Sequence, residues 1–538
     1  MRDAGTAFRE LGPDSGERGG GGPPSHRPSL LLENPRDWIS VAAQVIAQER
    51  GVARRWSWPL TLIAAFRGGV RRLLAPLVAP SAGALLGAVL ALAATSSSTS
   101  WPARLWRLPL ALLEGAIGGL VAGLRTAVKG RLFDAALVAT VVHRWRPIFT
   151  LPKSLTHHLF GLVFVTRYDD VKKVLGDGKV FAVDVYDERM RATIGAFFLG
   201  FPPGQLYQAE QEIGRRGVGD IKDLRRTQSC VEPLSRALVA AASRRPSHTL
   251  DVVSELLHPV LTANLECFFG LSDTKDQRVQ TWIQTVSFYI FNFWVGGPYR
   301  TAAVQAGAAL GGHLLEVVNE RAQAPRRVPI DAIDRMLAAN QDPAVIARTL
   351  GGVVAGSTGP ISVVFPDVVN QLLDLPPAHR RRLQAACLSS DESDKTVEKY
   401  VIEAVRLAPA PPLIYRHAAA AYAFCGGKKT ATVIESGAFV VTVPLMANFD
   451  ATHFARPALF DPDRNDGPGS SHEPLSFGSG QHACLGKYMG LLLLTEMVKA
   501  LFARDVRRFP GPARRPTKGP AGQMPEGDFA QRFIVEIW

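Results

Sequence analysis

The ten residues Phe477-Gly478-Ser479-Gly480-Gln481-His482-Ala483-Cys484-Leu485-Gly486 constrain this chain more than any other stretch. They set a single cysteine at the end of a glycine-loosened loop, just ahead of an apolar helical pattern (Leu491 to Leu494, then Met497, Val498 and Leu501). Gly478 and Gly480 allow a tight turn and a close backbone approach to a flat ligand. Phe477 is placed to pack against the sulfur and limit water. Gly486 keeps a Cβ out of the way of the following helix. Free backbone N–H groups open that helix after Cys484, and its positive end favours a deprotonated sulfur. A thiolate so held is a candidate axial ligand for a haem iron, where it favours splitting of a bound O–O bond. The alternative for the same pattern is a buried structural cysteine in a glycine-rich loop.

Two motifs upstream bear on that choice. Glu403-Ala404-Val405-Arg406 lies in an apolar-periodic run (Val401, Ile402, Val405, Leu407), so its carboxylate and guanidinium share one helix face. Phe460-Asp461-Pro462-Asp463-Arg464 follows, with Arg464 20 residues before the cysteine and Glu403 81 residues before it. Together the three motifs, in this order, resemble the cytochrome P-450 family. The resemblance extends over roughly residues 147–538. It implies a fold that is mainly α with a small β portion (α+β) and a haem b (iron protoporphyrin IX) cofactor. It also implies Cys484 as the metal ligand, with Phe477, Gly478, Gly480 and Gly486 shaping the loop. His482 and Arg416 become candidate partners of the haem propionates. Glu403, Arg406 and Arg464 become a buried triad behind the loop, which is physically reasonable because buried charges persist only when paired and hydrogen-bonded. Near the start of the resemblance, Gly161 to Leu175 reads as a strand with alternating Leu162 and Phe164, running into a helix with Val171, Val174 and Leu175 on one face.

Two departures from the family pattern stand out. The apolar stretch Ala344 to Leu373 is interrupted by Gly351, Gly352, Gly356, Gly359 and Pro360. A proline removes one helical hydrogen bond and crowds the carbonyl four residues back, here that of Gly356, so a local opening is expected there. The family usually follows Ala-Gly with a variable residue, an acid and a threonine, which deliver protons during O2 activation. Here the run is Ala355-Gly356-Ser357-Thr358-Gly359-Pro360, and the acid is absent. Ser357 and Thr358 are the nearest candidates for proton handling. A substrate that already carries an O–O bond needs no such relay. The second departure follows Pro202-Pro203-Gly204. The family often has a His or Trp there with an Arg four residues on, but this chain reads Gln205-Leu206-Tyr207-Gln208-Ala209. Arg215 and Arg216 lie further along without an assigned role.

The front of the chain has a different character. Residues 1–35 are Gly-, Pro- and charge-rich and read as a disordered tail. Residues 36–146 form a basic, apolar extension. Its stretch 50–131 holds eleven Lys/Arg and one acid, Glu114, and Leu73 to Ala94 is 22 residues without a charge. About 20 apolar residues suffice to cross a bilayer, so this is a candidate membrane anchor, although Pro76 and Pro80 weaken it. A helical extension packed on the haem domain and mistranslated upstream sequence are the competing readings. Arginine interleaved with apolar runs suits anionic lipid and excludes nucleic acid as a partner. No secretory signal is recognisable. The five cysteines (Cys230, Cys267, Cys387, Cys425, Cys484) show no paired spacing. That argues for a reducing compartment without disulfides, in the cytoplasm or on the cytoplasmic face of a membrane.

The resemblance implies a haem-thiolate monooxygenase that inserts one atom of O2 into an apolar small molecule such as a lipid. A separate ferredoxin or flavoprotein reductase would then bring electrons. The missing acid leaves open a peroxide-dependent peroxygenase or hydroperoxide isomerase/dehydratase, and a non-catalytic haem sensor or carrier remains a further alternative. The aromatic cluster Trp282, Phe288, Tyr289, Phe291, Phe293 and Trp294 lies where the family lids its pocket, or else packs an ordinary core.

Overall fold

Buried apolar periodicity becomes helix over most of the described residues, and short β-rich segments gather into one main sheet. The computed structural model describes residues 148–150, 162–218, 221–271, 277–293, 298–389, 395–424, 432–464, 466, 473–511 and 529–538. The tail 1–35, the extension 36–146 with its apolar stretch Leu73–Ala94, Gly161, Trp294 and Cys425 lie outside the described residues. The chain divides into two units. The first gathers residues 1–130, 293–300 and 519–526, of which 293 and 298–300 are described. The second comprises residues 131–292, 301–518 and 527–538 and carries the site.

The main sheet runs β1 (Ile148–Thr150), β2 (Leu162–Val165), β3 (Phe181–Ala182), β4 (Ile414–Ala418) and β5 (Phe439–Thr442) in chain order, and β1-β2-β5-β4-β3 across the sheet. β2 is parallel to β5, and every other pairing is antiparallel, with Arg416 opposite Val440. The alternation read at Leu162 and Phe164 does not persist as one wet and one dry face. Val163, Phe164 and Val165 are all buried, because β2 is an inner strand covered on both sides.

Helices supply the rest. They include α1 (Tyr168–Gly176), α2 (Gln205–Val218), α3 (Ile221–Ser243), α4 (Gln277–Phe291), α5 (Pro343–Leu373), α6 (Pro377–Leu388), α7 (Thr396–Leu407) and α8 (Lys487–Phe502). α1 buries Val171, Val174 and Leu175 as its periodicity predicts. α5, α7 and α8 share one hydrophobic core with α3 and α4, including Leu350, Val354, Phe365, Tyr400, Leu493 and Met497.

Cys230 on α3 and Cys267 are joined in a disulfide, with Cα atoms 6.8 Å apart. This corrects the expectation of unpaired cysteines. The pair are 37 residues apart and belong to no spacing motif, so only the packing of α3 against the turn Leu265–Phe269 brings them together.

α5 is the central helix. Pro343 opens it at the first position and the Asp342 side chain accepts from the Ala344 N–H at 2.8 Å, a favourable N-terminal pairing. Among the described residues it alone is long and apolar enough to cross a membrane, yet its side chains are mostly buried in the protein core. The helix runs unbroken through Pro360 and Pro366, so the expected opening is not a break in the helix. Instead, Pro360 lacks the N–H that the Gly356 carbonyl would otherwise receive. The glycines of α5 serve two purposes. A Cβ on Gly352 would lie 2.5 Å from the Phe197 ring, and one on Gly359 would lie 2.0 Å from Ser287 Oγ on α4. A Cβ on Gly356 would meet nothing within 4 Å among the described residues beyond its own stretch of helix, and Gly356 is exposed between buried Ala355 and half-buried Ser357.

Two substitutions separate these purposes. Gly359→Ala forces buried Ser287 to shift and is expected to destabilise the protein by about 1–3 kcal/mol. Gly356→Ala removes only glycine's helical disadvantage and is expected to leave stability unchanged or raise it by up to about 1 kcal/mol. Urea unfolding midpoints of the two variants, measured without ligand, check the opposite signs.

Candidate functional site

The loop before α8 is closed by its own backbone. The Cys484 N–H donates to the Phe477 carbonyl at 2.8 Å, and the Gly478 N–H donates to the Leu475 carbonyl at 3.0 Å. Gly478 and Gly480 both have φ of +70°, the left-handed region that other residues enter only with strain. Gly480 has a second constraint, because a Cβ there would lie 2.5 Å from Gly176 Cα at the end of α1. Gly486 has no such neighbour within 4 Å.

Cys484 is exposed at the end of this loop. Burial pushes its pKa up, against weaker downward pulls from the Gly486 N–H and the Lys487 ammonium. The downward pull of the Gly486 N–H is the contribution expected of the helix start, smaller than the desolvation of the sulfur. A coordinating metal would supply the missing positive charge, since a ligating thiol is deprotonated outright.

Behind the loop, Glu403, Arg406 and Arg464 come together. Arg406 donates to Glu403 through Nε and Nη2, both at 2.8 Å, and Arg464 Nη2 donates to Glu403 Oε1 at 3.1 Å. Arg406 is 1% exposed and Glu403 4%, so the charges persist because each is paired and further hydrogen-bonded. Arg406 also donates to the Asn448 and Pro457 carbonyls, and the Asp461 N–H donates to Glu403. Asn448 and Ser476 extend this network and were not singled out in the sequence. Asn448 Nδ2 donates to the Arg406 carbonyl and to Ser476 Oγ, its Oδ1 accepts from the Leu475 N–H at 2.8 Å, and Ser476 Oγ donates to the Val405 carbonyl. The triad is thereby tied directly to the turn that enters the cysteine loop.

Arg416 and His482 supply the polar groups beside the loop. Arg416 is buried in β4; its Nη1 donates to the Tyr415 carbonyl at 2.8 Å, while its Nε finds no partner. Both ring nitrogens of His482 are buried without partners. Burial, and then the positive charge of Arg416, push the His482 pKa down to about 3, so the imidazole is neutral. Buried donors lacking acceptors are rare in native proteins and usually mark a missing group. A guanidinium, a neutral imidazole and a sulfur that needs a cation fit the two carboxylates and the iron of a haem.

On α5 the two candidate hydroxyls part company. At 100° per residue, Thr358 stands roughly 160° round the helix from the open position Gly356. Its Oγ1 is buried without a partner, facing the core. Ser357 is nearer to the open face, but its Oγ already donates to the Val354 carbonyl at 3.3 Å. The structure thus takes Thr358 out of reach of the face that carries Gly356. The single acid within α5, Asp367, lies eleven residues on, about 16 Å along the helix.

The aromatic cluster does not form one wall. Trp282 packs against the main core, Phe288 and Tyr289 are buried, and the Phe291 ring lies 6.2 Å from that of Tyr186. A different aromatic pair, Phe197 and Phe198, approaches the site. Phe197 abuts Gly352 of α5, and the Phe198 ring lies 6.1 Å from that of Tyr207 on α2. Arg348 of α5 fixes that segment, donating to the Ala196 carbonyl and bidentately to Glu210, all at 2.7 Å. Arg215 and Arg216 are exposed and pair with Glu212 instead of turning toward the loop.

The cytochrome P450 family model matches residues 389–509, the span that holds Glu403, Arg406, Arg464 and the whole cysteine loop. Over that span the chain is similar to the cytochrome P450 family, and its fold is that of solved cytochromes P450. P450BioI in complex with a hexadec-9Z-enoic acid-ligated acyl carrier protein shares its fold, at TM-score 0.60 and 16% identity, over 77% of this chain and 99% of that one. CYP109E1 from Bacillus megaterium in complex with testosterone does so at TM-score 0.58 and 16% identity, over 75% and 99%. Among curated proteins, a bifunctional dioxygenase (DOX)-epoxy alcohol synthase (EAS) of Pyricularia oryzae is 32% identical over 165 residues, 30% of this chain. The P-450 monooxygenase DoxA of Streptomyces peucetius subsp. caesius is 32% identical over 120 residues, 22% of this chain. The matched stretches span 13% and 26% of those relatives' own lengths.

Glu403→Gln removes the shared carboxylate charge and leaves two guanidinium groups without it. The expected cost is about 3–5 kcal/mol. Asn448→Ala, which removes three neutral hydrogen bonds, should cost less, about 1–3 kcal/mol. Denaturant unfolding of the two variants beside the wild type measures both.

Proposed function

We propose that this chain is a haem-thiolate enzyme that moves an oxygen atom within or onto an apolar, fatty-acyl-like molecule, with a hydroperoxide as the oxygen source. The observation that carries the reading is the open face of α5. Gly356 and its flanking residues Val353, Ser357 and Pro360 present no acid there, and Thr358 faces the core. A bound haem would supply the cleavage of the O–O bond. The residues of the chain bind, orient and exclude water. Cys484 would hold the iron, while Arg416 and the neutral His482 would receive the haem carboxylates. Phe477 would limit water at the sulfur, and Phe197 against Gly352 narrows the approach along α5.

Rearranging a hydroperoxide to an epoxy alcohol keeps every atom of the substrate and draws no external electrons, so it asks for no acid–alcohol relay. Similarity to a dioxygenase–epoxy alcohol synthase supports this reading, and the acyl-carrier complex of P450BioI supports the substrate class. The similarity to DoxA and to the steroid 21-hydroxylase of Canis lupus favours a second reading, O2-dependent monooxygenation with a separate ferredoxin or flavoprotein donor.

The oxidant separates the two. Purified full chain loaded with hemin is mixed with a fatty acid hydroperoxide, with no electron donor present. Isomerised product, lost in Cys484→Ser, is the expected outcome. Product that forms only with O2 and a reduced partner would overturn the hydroperoxide reading. The carbon monoxide difference spectrum of the reduced protein checks the ligand beneath both readings, since a thiolate-type Soret band should vanish in Cys484→Ser.

A further inference from the structure

α2 runs alongside the cysteine loop and touches it on both sides of Cys484. Tyr207, Gln211 and Gly214 occupy positions i, i+4 and i+7 and so share one helix face. At one end, Tyr207 Oη donates to the Gln481 carbonyl at 2.6 Å. Gln211 Nε2 donates to Tyr207 Oη at 2.7 Å and reaches the same Gln481 carbonyl at 3.4 Å. The Tyr207 ring meets the His482 ring edge-on, with centroids 4.7 Å apart. At the other end, a Cβ on Gly214 would lie 2.8 Å from Phe198 and 3.6 Å from Leu485, so the helix backbone comes close to the residue after the cysteine. No charged side chain lies among these contacts, because Arg215 and Arg216 are engaged with Glu212 at the surface.

Tyr207 is 1% exposed, too buried for a hydroxyl without a partner. Burial, only partly offset by Gln211, pushes its pKa up to about 12, so it remains a donor at neutral pH. Gln211 polarises the hydroxyl that holds Gln481, and a chain of this kind strengthens each member.

We infer that α2 is an uncharged latch on the haem loop: Tyr207, backed by Gln211, is a positioning residue that fixes Gln481 and His482 and thereby sets the Cys484 sulfur against the haem iron. The inference rests on the haem-thiolate reading and is independent of the oxidant. Loosening the latch acts on the iron–sulfur geometry rather than on the core, because Tyr207→Phe keeps the buried ring and removes only the hydroxyl.

The test uses the full chain loaded with hemin, and reads the spectrum of the reduced carbon monoxide complex together with the rate of hemin transfer to an excess of apomyoglobin. In Tyr207→Phe, hemin is expected to leave about tenfold faster, the effect of losing one good hydrogen bond. Part of the thiolate-type Soret band should pass to the band of a protein whose thiolate has been lost. Gln211→Leu should move both readouts in the same direction by less, and the double variant should stay close to Tyr207→Phe, since both act through one hydroxyl. A wild-type spectrum and hemin transfer rate in Tyr207→Phe would overturn the latch. Should Tyr207→Phe not fold, Gln211→Leu decides on the same two readouts, and no change there would overturn it. Failure of the wild type itself to take up hemin would instead remove the haem-thiolate reading on which the latch depends.

Discussion

Glu403 is shared between two guanidinium groups in a part of the protein almost closed to water, and the approach to the cysteine loop is anchored to that arrangement. A buried ion pair is a poor source of stability, since desolvation takes back much of the Coulomb gain. Its value here is geometric. Arg406 spends its remaining N–H groups on the Asn448 and Pro457 carbonyls, and Asn448 returns a hydrogen bond to the Arg406 carbonyl while holding Leu475 and Ser476. The turn that enters the loop is thus hydrogen-bonded to α7 on one side and to the segment 448–464 on the other. Hydrophobic packing alone would leave the sliding of these parts far cheaper, because it is not directional.

The two sides of the site are built on different physics. Below, polar groups are numerous and mostly satisfied. Above, α5 brings backbone and apolar side chains, and its glycines let neighbours come close at 352 and 359 while leaving the chain bare at 356. A helix so stripped of polar groups at its open position is suited to excluding water and poorly suited to delivering protons. That asymmetry makes an oxidant carrying its own O–O bond chemically economical, since the chain then needs only to place the substrate.

Much of this was readable from residue order. The cysteine loop, the Glu-x-x-Arg pair and Arg464 stand at separations that survive in one dimension, and the 3.6-residue period marked α1 and α7 correctly. Other features depend on contacts between distant segments. Asn448 and Ser476 look like ordinary loop residues until the chain folds them against Arg406. Tyr207 and Gln211 are four apart on a helix, which is visible, but their acceptor lies some 270 residues away at Gln481. The Cys230–Cys267 disulfide was missed for the same reason. Thr358 is buried with its Oγ1 unpartnered, a placement that motif alignment does not reveal, because it orders residues along the chain and does not say which way a continuous helix turns them.

The charge arrangement beside the loop follows from burial. A protonated His482 close to Arg416 would put two positive charges into a poorly solvated space, and the low pKa of the imidazole avoids this. With Tyr207 and Gln211 also neutral, Arg416 is the positive charge that acts on His482, while Lys487 lies on the Phe477 side of the loop. Arg416 is itself desolvated, with its Nε unpaired. An incoming carboxylate would gain a charge-assisted hydrogen bond where water does not compete and would relieve a strained donor at the same time. Binding of the anionic edge of a haem and repair of the protein's own unsatisfied groups would therefore be one event. That coupling explains how an uncharged helix face beside the loop remains compatible with holding a dianionic cofactor.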